Sequence, residues 1–282
     1  MTIKHWRDYT KGRSEHTVVG TVMVRKGVRS VQLANRRDLY VYLPPSYDQA
    51  AQRYPVIYMH DGQNLFDSAI SYAGEWQVDE TMEALSGEGL EAIVVGIPNK
   101  GRGRLDEYSP FRDERMQAGG LGDAYMAFIV ETVKPLIDGD FRTLPDRAHT
   151  GIIGSSMGGL ISLYGFFRHP QVFGFAGVMS PSLWFAEGPI FPYVEAAPFA
   201  PGKIHLDIGT YEGPDIRDRQ TRPPSYAGRN ILHLRRMRDL LIRKGYRAGW
   251  DINYEEEPAA IHNEAAWARR LPGALRFLLR TL

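Results

Sequence analysis

Cysteine is absent from all 282 residues, which excludes disulfides, thiolate nucleophiles and cysteine-ligated zinc or iron–sulfur centres. Any covalent chemistry here uses oxygen or nitrogen. An excess of charge is lacking too: 34 Lys and Arg against 33 Asp and Glu leave a formal +1. No global field points to nucleic acid, and small molecules are the expected partners. No apolar run reaches the roughly 18 residues of a membrane span, and the segment Met1 to Asp8 has no signal-like apolar stretch. A soluble, cytoplasmic protein with no membrane contact is expected. Repeats, low-complexity tracts and linker compositions are missing as well, so one domain over 1–282 is expected, with 43% hydrophobic residues for its core. The sequence carries no mark of an oligomeric state.

What is present is an alternation of short β-branched apolar runs with longer helix-period segments, the pattern of a mostly parallel sheet with helices on both faces. The start differs. Runs at Thr17 to Arg25, Ser30 to Leu33 and Asp38 to Leu43 leave no room for helices between them, which predicts an antiparallel opening ended by Pro44-Pro45. Central strands are predicted at Val56 to Met59, Ala92 to Gly96, Thr150 to Ile153, Phe175 to Met179, Ile204 to Ile208 and Trp250 to Tyr254. Helices are predicted at Trp76 to Leu85, Asp123 to Ile137, Met157 to Phe167, Tyr226 to Arg243 and Asn263 to Leu279. Three long stretches rich in Gly, Pro and charge, Pro98 to Gly120, Pro181 to Pro201 and Gly209 to Ser225, read as binding or lid segments.

The most informative motif is Gly154-Ser155-Ser156-Met157-Gly158-Gly159, a G-x-S-x-G between a buried strand and an apolar helix. A serine on so tight a turn needs strained angles, so Gly154 and Gly158 are expected to be bare to let strand and helix approach. The following helix aims its N-terminal dipole at the serine, where it favours the negative charge that develops in acyl transfer. Ser156 is the candidate nucleophile and the N–H of Met157 an oxyanion donor. Ser155 is expected to point into the sheet.

A serine nucleophile needs a general base, and His is the usual one. The order serine, acid, histidine places that base C-terminal to the motif. His205 lies in a strand and His233 in a helix, which leaves His262, in the loop ahead of the last helix with Asn263 as its N-cap. The acid belongs after the penultimate strand, in Gly209-Thr210-Tyr211-Glu212-Gly213-Pro214-Asp215. Glu212 is the first carboxylate clear of the strand, with Asp215 and Asp218 as reserves. The order and spacing are those of the α/β-hydrolase fold.

Beyond these, the chain carries Tyr42-Leu43-Pro44-Pro45-Ser46-Tyr47, the turn His60-Asp61-Gly62, and Arg104-Leu105-Asp106-Glu107-Tyr108-Ser109-Pro110. With them it resembles, from about Asp38 onward, the putative-esterase family of α/β-hydrolases: esterase D, feruloyl and enterochelin esterases, and the antigen 85 mycolyltransferases. The resemblance implies a second oxyanion donor at the N–H of Gln63. It also implies a Gly-Thr-x-acid pattern met by Glu212, and a structural role for His60 and Asp61, with Asp61 capping its turn. No metal and no cofactor are expected.

Tyr72, Trp76 and Trp184 are candidate substrate contacts, suited to a small, aryl or sugar ester. Nine Arg and one Lys between Arg217 and Arg247 raise the alternative of an anionic substrate, although such faces are usually just solvated. The expected activity is that of a serine carboxylester hydrolase. An acyltransferase of the antigen 85 kind and a non-catalytic binding protein are the alternatives.

Overall fold

The computed structural model describes residues 5–212 and 227–280. The opening is antiparallel: β1 (Arg7–Asp8) pairs with β2 (Thr21–Ser30), and β2 with β3 (Asn35–Leu43). Of the strand expected at Ser30 to Leu33 only Ser30 is extended, as the end of β2; Val31 to Ala34 form the tight turn of this hairpin, where Ala34 sits at φ 50°. Thr17 to Gly20 likewise lie outside β2. Their polar groups are satisfied by side chains of other segments, so the chain there has no need of a ladder.

The core strands are β4 (Val56–His60), β5 (Ile93–Ile97), β8 (Thr150–Ser155), β9 (Phe175–Met179), β10 (Lys203–Gly209) and β11 (Ile252–Glu257). Two short strands, β6 (Arg112–Asp113) and β7 (Ala118–Gly119), form a separate ribbon. The main sheet has nine strands in the order β1-β2-β3-β5-β4-β8-β9-β10-β11, parallel from β5 to β11. Every residue of β4, β5, β8 and β9 is buried, which is why these strands read as continuous apolar runs. β11 begins at Ile252, two residues later than expected, because Trp250 is exposed in the preceding turn.

Both faces of the sheet are covered. α1 (Val78–Ser86) and α8 (Glu264–Leu279) pack with Ile57, Met59 and Val94 on one side. α5 (Met157–Arg168) and α7 (Ala227–Arg243) pack with Tyr58, Val95 and Leu206 on the other. In α7 the apolar stripe Ile231, Leu234, Met237 and Leu241 is buried, as its spacing predicts. The segment 123–137 is helical but not uniform: α3 (Gly122–Ala127) and α4 (Lys134–Asp140) flank wider, π-type turns at Phe128–Val133. The stretches read as irregular hold short helices, α2 (Arg104–Glu107) and α6 (Ile190–Ala196). Among the described residues no helix is long and apolar enough to cross a membrane.

Strand order reverses at β4, which lies between β5 and β8, and in open parallel sheets such a reversal opens a crevice at the carboxyl ends of the strands. The loops after β4, β8, β9, β10 and β11 converge there. One wall of this region is fixed by a buried ion pair. Arg37 of β3 donates Nη1 and Nη2 to Glu107 of α2 at 2.9 and 2.8 Å, and the next residue, Tyr108, meets the loop after β4. Removing one partner would leave a buried charge uncompensated. Arg37→Met is therefore expected to lower unfolding free energy by roughly 3–5 kcal/mol, with the double variant Arg37→Met/Glu107→Leu recovering much of it. An unchanged urea midpoint in the single variant would show that the pair contributes nothing net.

Candidate active site

Ser156 stands between β8 and α5 with φ 58° and ψ −121°, a conformation that L-residues rarely adopt and that costs on the order of 1–3 kcal/mol. The surrounding packing holds it. A Cβ on Gly154 would lie 2.7 Å from the Gly158 carbonyl carbon and from His60 Cδ2, and one on Gly159 would lie 2.9 Å from the Met179 oxygen. At Gly158 the nearest atom would be at 3.4 Å, an ordinary contact. The bare positions that the turn requires are thus Gly154 and Gly159, not Gly154 and Gly158. Ser155 is buried within β8, as expected.

Met157 is the first residue of α5, where a backbone N–H has no intrahelical acceptor. On the other side of the crevice, Asp61 adopts a left-handed conformation (φ 55°) and starts the single turn Gly62–Asn64 that carries Gln63. The Asp61 carboxylate does not cap this turn. It accepts instead from Arg104 Nε and Nη2, both at 2.8 Å, and from Asn99 Nδ2 at 2.7 Å. Burial disfavours its charge, but Arg104 and Asn99 outweigh burial and hold the carboxyl below its usual range. Gln63 Oε1 accepts from Asn99 N at 3.1 Å, which ties this turn to the loop after β5. His60 Nδ1 pairs with Tyr125 Oη at 2.8 Å, and burial pushes its pKa down to about 3, so the ring is neutral.

Glu212 and His262 meet. His262 Nδ1 lies 2.9 Å from Glu212 Oε2, and a carboxylate acceptor there leaves Nε2 as the basic nitrogen. Glu212 is 1% exposed, and its other oxygen, Oε1, accepts from Gly209 N at 2.8 Å and from Ser180 Oγ at 2.5 Å. Ser180 Oγ in turn accepts from Trp267 Nε1 at 3.0 Å and from Arg270 Nη2 at 2.8 Å. The Trp267 ring packs edge-on to His262, with centroids 5.0 Å apart. Arg270 is buried among carboxylates: Asp207 at 3.1 Å, Glu257 at 2.7 Å and Glu212 at 3.5 Å. Burial opposes its charge, yet Asp207 and the two glutamates together raise its pKa above the ordinary arginine value. The reserve acids Asp215 and Asp218 lie outside the described residues.

Ser156 and His262 are not joined directly. Among the described residues, Ser156 Oγ is hydrogen-bonded to Ser182 Oγ, at 3.2 Å, and not to His262. Catalytic hydrogen bonds are often long in ligand-free structures and tighten when substrate binds. His205, set aside as a strand residue, is buried between Asp207 Oδ2 at 3.0 Å and Asn253 at 2.9 Å. Of the aromatics, Tyr72 and Trp184 are exposed, whereas Trp76 is 3% exposed and packed against Trp267, so its ring is occupied by the core behind His262 and not presented to a cleft. Sequence reasoning missed Ser180, Ser182, Trp267 and Arg270. The basic residues of α7 are largely committed to neighbours: Arg235 to Glu256, Arg238 to Asp239 and Arg236 to the Phe191 ring. A groove of about 730 Å³ lies elsewhere, lined by Arg7, Arg25, Lys26 and Arg29 among others, and contains none of these site residues.

The model of the putative esterase family matches residues 30–278. The uncharacterized protein YbbA of Bacillus subtilis is 27% identical over 259 residues, covering 90% of this chain and 96% of that protein. The siderophore triacetylfusarinine C esterase of Aspergillus fumigatus is 31% identical over 136 residues, 46% of this chain and 44% of that enzyme. Among solved structures, the BES protein of Bacillus cereus superposes with a TM-score of 0.71 at 17% identity, covering 95% of this chain and all of that one. The enterobactin esterase of Shigella flexneri gives 0.65 at 17% identity over 93% of this chain and 59% of that chain. These structural likenesses bear on the α/β-hydrolase fold.

The neutral His60 carries a pH signature. Its folded-state pKa of about 3 lies below the unfolded value of about 6.5. Below pH 6.5 the unfolded chain binds a proton that the folded chain refuses, so this contribution to stability is complete above pH 6.5 and lost as pH falls towards 3. The expected slope is about 1.4 kcal/mol per pH unit across that window. His60→Gln should flatten the wild-type stability–pH curve by about one proton; a curve of unchanged slope would mean that His60 titrates normally.

Proposed function

The chain belongs to the putative esterase family, and from that premise we propose that it is a serine carboxylester hydrolase with Ser156 as nucleophile, His262 as general base and Glu212 as the orienting acid. The observation that carries this reading is the His262–Glu212 hydrogen bond at the same end of the sheet as a strained Ser156. As the Ser156 hydroxyl leaves Ser182 and turns to His262, Nε2 takes its proton and Oγ bonds to the ester carbonyl carbon. The carbonyl oxygen gains the negative charge. The N–H groups of Met157 and Gln63 stabilise it, one at a helix N-terminus and one on the turn after β4. Collapse breaks the bond to the alcohol oxygen, which receives the proton from His262, and an acyl-Ser156 intermediate remains. Water then attacks with His262 again as base, releasing the acid.

Glu212 contributes by charge and by position. Its Oε2 stabilises the imidazolium that forms in each step, while Ser180 and Gly209 fix Oε1 so that the carboxylate cannot rotate away. The substrate is a small-molecule ester with room for an aryl or sugar group beside the exposed Tyr72 and Trp184. Relatives are named for siderophore and feruloyl esters, and what those substrates share is the ester carbonyl.

Hydrolysis of p-nitrophenyl esters from acetate to octanoate, with methyl ferulate alongside, tests the assignment. Ser156→Ala should lose activity by a factor on the order of 10⁶, and Glu212→Ala by a smaller factor, on the order of 10⁴. A Ser156→Ala enzyme that kept most of its rate would remove the nucleophile assignment. Wild-type turnover in Glu212→Ala would move the acid elsewhere.

A further inference from the structure

Ser180, the first residue past β9, is 2% exposed and sits at φ 43°, in the left-handed region that glycine enters freely and that is unfavourable for any residue with a Cβ. Its N–H donates to the Asp207 carbonyl at 2.8 Å, which holds the backbone there. Glycine would suit this backbone better than serine does. Strain accepted at such a position points to a task for the hydroxyl.

That hydroxyl has three partners, and two of them can only donate. Trp267 and Arg270 stand three residues apart, on one face of α8, and their Nε1 and Nη2 reach Ser180 Oγ at 3.0 and 2.8 Å. An indole N–H and a guanidinium offer no acceptor, and the guanidinium does not lose its proton. Both lone pairs of Oγ are thereby filled, and its one hydrogen is left for Glu212 Oε1, at 2.5 Å. The Gly209 N–H, at 2.8 Å, is a second fixed donor to the same oxygen. Among the described residues Oε1 therefore meets only donors, and a proton on it would find no acceptor. The proton shared by Glu212 and His262 is confined to the 2.9 Å contact between Oε2 and Nδ1. Donors on Oε1, with Arg270 Nη2 at 3.5 Å, favour the carboxylate within that pair, so the proton rests on Nδ1 and Nε2 is left bare.

We propose that Ser180 is a positioning residue whose hydrogen, directed by Trp267 and Arg270, fixes the Glu212–His262 pair in the one proton arrangement that lets Nε2 act as a base. The inference rests on the esterase reading above and adds to it a direction for each proton behind His262. Restraint of Oε1 alone would not need that direction. A serine with a free lone pair can turn its hydrogen away and accept from a protonated Oε1. The opposite arrangement, with one proton on Glu212 and another on Nε2, offers Ser156 no base.

The test removes the hydroxyl from the full chain as Ser180→Ala and as Ser180→Gly. The glycine variant relieves the backbone strain, so a folded protein is in hand even where alanine is not accommodated. With p-nitrophenyl acetate, kcat should fall about 10- to 100-fold while KM stays within about twofold of wild type. In a Glu212→Ala background, Ser180→Gly should cost nothing further, because Ser180 acts through Glu212. Nitrogen NMR of histidine-labelled protein, with His262 assigned by its loss in His262→Gln, should show a protonated Nδ1 and a bare Nε2 in the wild type. Ser180→Gly should add the opposite tautomer. Wild-type kcat in Ser180→Gly, or an unchanged His262 tautomer, would overturn the proposal. An equal loss in the wild-type and Glu212→Ala backgrounds would overturn it as well, since the hydroxyl would then serve the packing of β9. Ser156→Ala separates the two levels: a Ser156→Ala enzyme that kept its rate would sink the esterase reading itself, whereas an inactive one beside a wild-type Ser180→Gly would sink only the role of Ser180.

Discussion

One buried cation, Arg270, organises the Glu212 side of the crevice. It reaches from α8 to Asp207 on β10, Glu257 at the end of β11 and Glu212 in the loop beyond β10, and it donates to Ser180 just past β9. Parallel pairing brings these ends together: Asp207 sits opposite Met179 on one neighbour and Glu255 on the other. Three carboxylates at this depth would repel one another, and a buried charge without a partner is strongly destabilising. A guanidinium with its planar fork of donors can serve all three at once, which a lysine could not. The loop carrying Glu212 is thereby bound to the last helix. That same helix starts at the Asn263 cap, whose side chain accepts from Ala266 N one residue after His262.

The Ser156 side rests on a different constraint, steric clearance. Strand β8 must pass close under α5 for the helix N-terminus to face Ser156, and the contacts at Gly154 and Gly159 leave no space for a Cβ. Strain at Ser156 is therefore fixed by the packing of neighbours and is maintained whether or not substrate is present. Ser182 is part of this frame: its N–H donates to the Ser156 carbonyl at 3.0 Å, and its hydroxyl meets Ser156 Oγ. The resting hydroxyl thus has a partner other than His262. Both sides converge because β8, β9 and β10 are adjacent, so the loops that follow them share one edge.

Most of the frame was legible in the sequence because its causes are local. Strands β4, β8 and β9 are short and apolar since both faces are covered, and a serine between such a strand and an apolar helix admits few other conformations. His262 and Glu212 could be chosen by chain order and position relative to strand ends. Arg270 and Ser180 could not: they lie 90 residues apart and acquire meaning only when α8 crosses the ends of β9 and β10. Trp76 misled for the same reason, since nothing in its neighbourhood shows that Trp267 covers it. The hairpin at Ser30 to Asn35 was missed because its turn places Ala34 at positive φ without the glycine or asparagine that usually announces one. Asp61 was assigned to its turn as a cap, when its true partner, Arg104, lies 43 residues away.

The distribution of free charge bears on what the crevice accepts. A basic helix suggests selection of anions, yet on α7 Arg235 is held in a two-pronged pair by Glu256, and Arg236 lies 4.1 Å from the Phe191 ring centre. At the crevice itself Arg104 is neutralised by Asp61 through both of its forward nitrogens. An anionic ester arriving there would have to break a bidentate pair to gain a cation, exchanging one charge-assisted interaction for another at little net gain. Groups that are exposed and uncommitted near the crevice, Tyr72 and Trp184, instead present aromatic surface. On the esterase reading proposed above, burial of apolar area on such rings would reward an acyl or alcohol group for its size and flatness, so that selectivity would follow shape before charge.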